Sequence, residues 1–129
     1  MTTRVDDTGL AYVAAFLATA AVTISAHTGD PAADGSANEL PTGGQRNYAR
    51  KVEPAGNWSA DAAVADNDNA IDVFIPTATE AGTVVSHIGI RFGAVWYGRV
   101  ELIAPVTLVA GRPFRIAAGT IDLMAARPA

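Results

Sequence analysis

The side chains able to move a proton or hold a metal near neutral pH are few and scattered. The 129 residues include two histidines, His27 and His87, and no cysteine. Thiolate metal sites, a disulfide framework and a thiol nucleophile are therefore excluded together. His27 is followed closely by Asp30, but two ligands without a third do not make a metal site. Ser86 precedes His87 in a run that alternates like a strand, where neighbouring side chains point to opposite faces. The pair is therefore expected not to act as nucleophile and base, and His87 is read as a hydrogen-bonded structural histidine. Asp66, Asp68 and Asp72 have the look of a calcium loop. Such a loop requires glycine at its sixth position and glutamate at its twelfth, where Ile71 and Thr77 stand instead. A solvated acidic turn is expected there. Gly43-Gly44 lacks the Lys-Ser or Lys-Thr of a phosphate-binding loop, and neither a G-x-S-x-G elbow nor an H-E-x-x-H helix occurs. Asn57-Trp58-Ser59 fits the glycosylation sequon and is read as a chance match. No catalytic residue, cofactor or metal is expected, and the chain is read as not an enzyme.

Binding leaves more signal than catalysis. Trp96 and Tyr97 are adjacent, so one faces inward and the other outward; with Trp58 and Tyr48 they form either an anchor patch or part of the core. Residues 1–82 carry 11 acids and 4 bases, a charge of −7, and residues 83–129 carry 2 acids and 5 bases, +3, which together make the net −4. Overall acidity argues against nucleic-acid binding, which needs a dense basic face. A bipolar chain suits docking on protein or on copies of itself. The acidic candidates for such an interface are Asp30, Asp34 and Glu39, and the basic ones are Arg91, Arg99, Arg112 and Arg115, with Tyr97 as an aromatic contact. The first three lie in a polar connection over residues 28–46. A Gly-rich loop of this length gains little from its own packing and is expected to become ordered against a neighbouring subunit.

The elements that must position these residues follow from periodicity. Val and Ile, with 12 and 8 copies, outnumber the 6 Leu and 2 Met, which favours strands over a helical bundle. Leu10, Val13, Ala14, Leu17 and Ala21 form one helical stripe behind Asp6, Asp7 and Thr8, predicting a helix over about 8–20. The uncharged run from Leu10 to Ala26 has no basic flank and contains Thr19, Thr23 and Ser25, so neither a secretion signal nor a membrane span is expected. Val22, Ile24 and Ala26 alternate as a strand, and residues 47–52 are a short strand candidate. An irregular stretch follows, from Trp58 to Asp66-Asn67-Asp68-Asn69.

A β meander is predicted over about 70–124, with strands at 70–75, 83–92, 95–103, 105–109, 114–118 and 120–124. Within it Val84, Ile88 and Ile90 are placed on one face, and Trp96, Gly98, Val100 and Leu102 lie opposite Tyr97, Arg99 and Glu101. The fold class expected is mainly β: a single β-sandwich or barrel-like domain over residues 1–129, with one N-terminal α-helix. Leu17, Ile24, Ile88, Ile90, Val100, Leu102 and Ile116 are expected to be buried.

An ordered series of segments resembles a family of small bacteriophage virion structural proteins, tail-fibre-like or minor capsid in type. The series runs His27-Thr28-Gly29-Asp30-Pro31, Asn47-Tyr48-Ala49-Arg50, Phe74-Ile75-Pro76-Thr77-Ala78-Thr79 and Val85-Ser86-His87-Ile88-Gly89-Ile90. It ends with Pro105-Val106-Thr107-Leu108-Val109-Ala110-Gly111 and Phe114-Arg115-Ile116-Ala117-Ala118-Gly119. It spans most of residues 10–124. Members tend to carry an acidic, Gly-rich hairpin tip after the position of Ile90, where this chain has the short Arg91-Phe92-Gly93-Ala94. The resemblance implies a small β-sandwich made in the host cytoplasm and built into the virion. Its expected partners are other virion proteins, major capsid or tail, and copies of itself, with no nucleic acid and no membrane. The chain is too short for both an attachment domain and a fibre shaft and lacks the heptads or repeats of a shaft. Capsid decoration or a minor capsid role is therefore ranked before a tail, baseplate or fibre role. A carbohydrate-binding β-sandwich is the rival reading from another class.

Overall fold

Apolar residues at alternate positions build the centre of the molecule as strands, because a strand turns successive side chains to opposite faces. The computed structural model describes residues 21–61 and 64–124, and it is mainly β. The helix expected over 8–20, with its core residue Leu17, lies outside the described residues. The strands are β1 (Val22–His27), β2 (Lys51–Glu53), β3 (Trp58–Asp61), β4 (Val64–Asn67), β5 (Ile71–Phe74), β6 (Val84–Phe92), β7 (Val95–Thr107), β8 (Phe114–Ile116) and β9 (Asp122–Met124). They fall into two compact units, one of residues 21–53 and 71–116, the other of 54–70 and 117–124.

The larger unit holds an antiparallel sheet in the order β2-β1-β6-β7 and a separate β5-β8 pair. The four-stranded sheet is open, with β2 and β7 as its edges, and is not the closed barrel that was one expectation. Val22, Ile24 and Ala26 of β1 and Val85, Ile88 and Ile90 of β6 are buried. Burying each of the larger side chains contributes about 1.5–3 kcal/mol. Ile71, Val73, Phe74, Phe114 and Ile116 of the β5-β8 pair are buried with them, as are Leu40, Tyr48 and Leu108.

Register shifts in β7 correct the face assignments. Val85 lies opposite Val106, but His87 lies opposite Glu101, so residues 102–105 of β7 stand against Ser86 alone. The buried apolar residues of β6 are Val85, Ile88 and Ile90, while Val84 is 44% exposed. The strands expected at 95–103 and 105–109 are one strand distorted at this point, where Pro105 has no N–H to give to a ladder. A second shift inserts Tyr97: Arg91 lies opposite Trp96 while Ile90 lies opposite Gly98. Trp96 is thereby turned to the same face as Arg99 and Glu101, against the expected alternation. Val100 and Leu102 are half-buried rather than buried, because β7 is an edge strand.

In the smaller unit β4 pairs with β3 and β9. The stretch expected to be irregular thus contains a strand pair. Its Ala and Asp residues have low strand propensity, and backbone pairing decides. The expected solvated turn at 66–69 is partly a buried asparagine brace. Asn67 is 1% exposed, its Nδ2 donates to the carbonyls of Asn69 and Ala117, and its Oδ1 accepts from the Ile121 N–H. Asn57 Oδ1 accepts from the Asn69 N–H. Trp58 is buried here as a core residue.

Candidate functional site

One face of the β1-β6-β7 sheet carries polar side chains that the 28–46 segment covers. Ser25 and His27 project from β1, Arg91 from β6 and Trp96 from β7. Arg91 Nη1 donates to Ser25 Oγ at 2.9 Å, and Nη2 donates to the Gly35 carbonyl at 3.2 Å. Ser25 Oγ lies 2.8 Å from His27 Nε2, and His27 Nδ1 lies 2.8 Å from the Ala37 carbonyl. A carbonyl only accepts, so Nδ1 carries the proton, and in the neutral ring Nε2 accepts from the serine hydroxyl. With the imidazole neutral, the chain of donors runs Arg91, Ser25, His27, Ala37. Burial lowers the His27 pKa below its usual 6.5, and the nearby Arg91 adds to this. The Arg91 guanidinium stacks 4.7 Å above the Trp96 ring, whose plane meets His27 edge-on. This arrangement orients the loop and leaves no free base, since both nitrogens of His27 are engaged.

Close approach across this face depends on absent side chains. Gly35 has φ +76°, and a β-carbon there would run into the Trp96 indole. A β-carbon on Gly89 would meet Ser25 Oγ, Trp96 and His27 together.

A second set of contacts ties the far end of the same segment. Arg50 donates to both Glu39 oxygens, at 2.9 and 2.8 Å, and the Tyr48 hydroxyl donates to Oε2 at 2.6 Å. That hydroxyl in turn accepts from the Ala26 N–H at 3.1 Å. The Arg50 guanidinium, assisted by Tyr48, holds the Glu39 carboxyl at about 2, far below the usual 4.5. Burial and the Glu39 carboxylate together push the Tyr48 phenol above its usual value. Glu80 acts as a buried anion that collects N–H groups. Its Oε1 accepts from Asn47 and Thr77, and its Oε2 from Tyr48. Burial opposes its charge, but these three donors outweigh it and keep the carboxyl below its ordinary value.

The segment over 28–46 is thus held by its own chain: Thr28 N–H donates to Asn38 O, Leu40 N–H to Ala26 O, and Thr77 Oγ1 to Gln45 O.

The residues proposed from sequence are not gathered in one place. Asp30 and Arg99 form an exposed pair at 3.4 Å, while Asp34 is bound to Ser36, which lowers its pKa. Glu39 is held by Arg50 and Tyr48, and Arg91 is 6% exposed within the polar network. Tyr97 is 36% exposed and packs edge-to-face on Phe92 at 5.2 Å. Arg115 pairs with Asp72, both exposed, and Arg112 is exposed in the turn before β8. Tyr48, Arg50, Glu80, Trp96, Gly35 and Gly89 were not singled out for these roles. Their partners lie up to 69 residues away in sequence, as for Trp96 and His27, and no local pattern marks them.

The Ser86–His87 expectation needs correction. Ser86 Oγ lies 2.8 Å from His87 Nδ1, because the register shift at this point removes the strict alternation of faces. Among the described residues no three His, Asp or Glu side chains are grouped to hold a metal. No helix among them is long and apolar enough to cross a membrane.

Fold and network together define a β-rich module whose charged groups largely brace its own loops. The chain belongs to the family described as Podophage GP4 fiber I protein gp80, which matches residues 9–124. It is accordingly a member of a family of phage virion structural proteins of tail-fibre-like type. No curated protein matches it in sequence.

Proposed function

We propose that the protein is a non-enzymatic building block of the phage exterior, a compact component of a tail-fibre assembly that works by docking to other virion proteins. The family match over residues 9–124 carries this reading. The bracing of the 28–46 segment supports it, since a docking module gains from surface loops already held in one shape. The two sheets of the larger unit then serve as layers of a small β-sandwich, a reading supported by the edge-to-face series Tyr48, Phe74 and Phe114. Catalysis finds little support at His27, which is engaged at both nitrogens.

Capsid decoration or a minor capsid role is the second reading, favoured by the lack of shaft repeats in the sequence. A sugar-binding module is disfavoured. Trp58 is buried, and Trp96 is half-buried between Arg91 and Gly35.

Gold-labelled antibody against the protein, applied to purified virions under the electron microscope, tests the proposal. Label on the tail or its fibres supports it. Label spread over the head replaces it with decoration, and the protein's absence from purified virions overturns both.

A further inference from the structure

Two hydrogen bonds fasten the outer arm of the covering segment, residues 28–38, to side chains of the sheet, and both belong to one small cluster. The Ala37 carbonyl accepts from His27 Nδ1 and the Gly35 carbonyl from Arg91, with Ser25 Oγ between the two side chains. Other bonds of the arm are internal to it, such as Ala37 N–H to the Pro31 carbonyl and Asn38 Nδ2 to the Asp30 carbonyl. His27 is 0% exposed, at the point where β1 gives way to the arm. Just past the arm, Glu39 is anchored by Arg50 and Tyr48.

We propose that His27 is a pH-operated latch: a proton added to its Nε2 detaches residues 28–38 from the sheet, while the sheet and the Glu39 anchor hold. The proton comes from solvent, and no bond between heavy atoms changes. In the neutral ring Nε2 accepts the Ser25 hydroxyl proton, whereas an imidazolium carries N–H at both nitrogens. Nε2 then becomes a second donor aimed at an oxygen that Arg91 already supplies. The serine hydroxyl loses its acceptor, and a second cation is buried beside the guanidinium. Both costs are relieved when the arm lifts and water reaches the ring.

Charged groups face this ring from each neighbouring element. Arg91 on β6 and Arg50 before β2 oppose an added charge, and Glu39 favours it. Glu39 stands in a bridge opposite His27, but both its oxygens are taken by Arg50 and Tyr48. His87 of β6 lies opposite His27 in the ladder, and Glu101 of β7 lies opposite His87. On the arm itself Asp30 pairs with Arg99 of β7, and Asp34 is bound by Ser36. Burial is the largest effect, and the balance keeps the closed ring below 6.5. The open arm therefore takes up the proton first. Below 6.5 its population relative to the closed arm grows by up to about tenfold per pH unit, until the closed ring is itself charged. The Glu39 carboxyl stays ionised down to about 2, so the anchor outlasts the latch. The latch depends on this cluster alone and not on where the protein sits in the particle.

Backbone nuclear Overhauser effects from proton to nitrogen-15, which read mobility residue by residue, test it on the full chain between about pH 7.5 and 5. At the acid end the values of residues 32–37 should fall to those of a mobile loop, while β1 and β6 keep rigid values. His27→Gln takes up no proton and should give the same arm values at both ends of the range. His87→Gln should leave the transition in place, and with the wild type it decides the matter even if His27→Gln fails to fold. A wild-type arm still rigid at pH 5, or loosening of β1 and β6 together with the arm, would overturn the proposal. So would a transition that persists in His27→Gln or disappears in His87→Gln.

Discussion

Gly35 of the covering segment lies directly against the indole of Trp96 on β7, with no room between them for a β-carbon. Its φ of +76° is one that L side chains rarely adopt. Gly35→Ala therefore incurs backbone strain of about 1–2 kcal/mol and overpacking of roughly 1–3 kcal/mol. A thermal melt should show a clear loss of stability; an unchanged melting temperature would mean that the segment is not seated on Trp96.

Arg91 holds that segment from the sheet side, through Ser25, Gly35 and Trp96. Arg91→Lys keeps the charge but loses the planar fork and the stacking face. Leaving a buried acceptor such as the Gly35 carbonyl unsatisfied costs about 1–3 kcal/mol, and the lysine variant should lose stability in that range. Limited proteolysis should then cut within residues 28–46 sooner than in wild type, with β6 and β7 still protected.

Acid should weaken the fold in two windows. His27 has a folded pKa below 6.5, so the unfolded state takes up the proton first. Its contribution is complete above 6.5 and is lost as pH falls from there through the lower folded value. His27→Gln should lower stability at neutral pH and flatten the dependence between pH 7 and 5, read by melting in a buffer series.

Glu39 acts lower. Its pKa falls from 4.5 to about 2 on folding, so its stabilisation is present above 4.5 and is lost as pH drops towards 2. Glu80 is displaced in the same direction. Glu39→Gln should reduce the acid-induced loss below pH 4.5 by on the order of 2 kcal/mol. An identical acid limb in the variant would show that Arg50 and Tyr48 do not hold this carboxylate in solution.

Ile90 is 1% exposed on β6, an inner strand of the sheet. Ile90→Ala should cost about 2–5 kcal/mol, the range for emptying a packed aliphatic site. A loss of less than half a kilocalorie, on the order of a surface change, would place it outside the core.

Period-two alternation identified β1, β5 and β6 nearly to their ends, together with the burial of Ile24, Ile88, Ile90 and Ile116. That pattern is written in neighbouring residues, and the hydrophobic effect acts on it wherever the strand lies. The β3–β4 pair escaped notice because its Ala and Asp residues carry no such pattern. The face of Trp96 was decided by the register shift at Tyr97, and nothing in either strand's sequence marks that shift. The charged residues show the same division. Their types and the split between the two halves of the chain are sequence facts. That Glu39 meets Arg50 and Tyr48, and that Arg91 reaches Ser25 and Gly35, follows from how the 28–46 segment crosses the sheet. A buried carboxylate or guanidinium is stable only where donors or acceptors from distant positions converge on it. Convergence of that kind is a property of the tertiary fold.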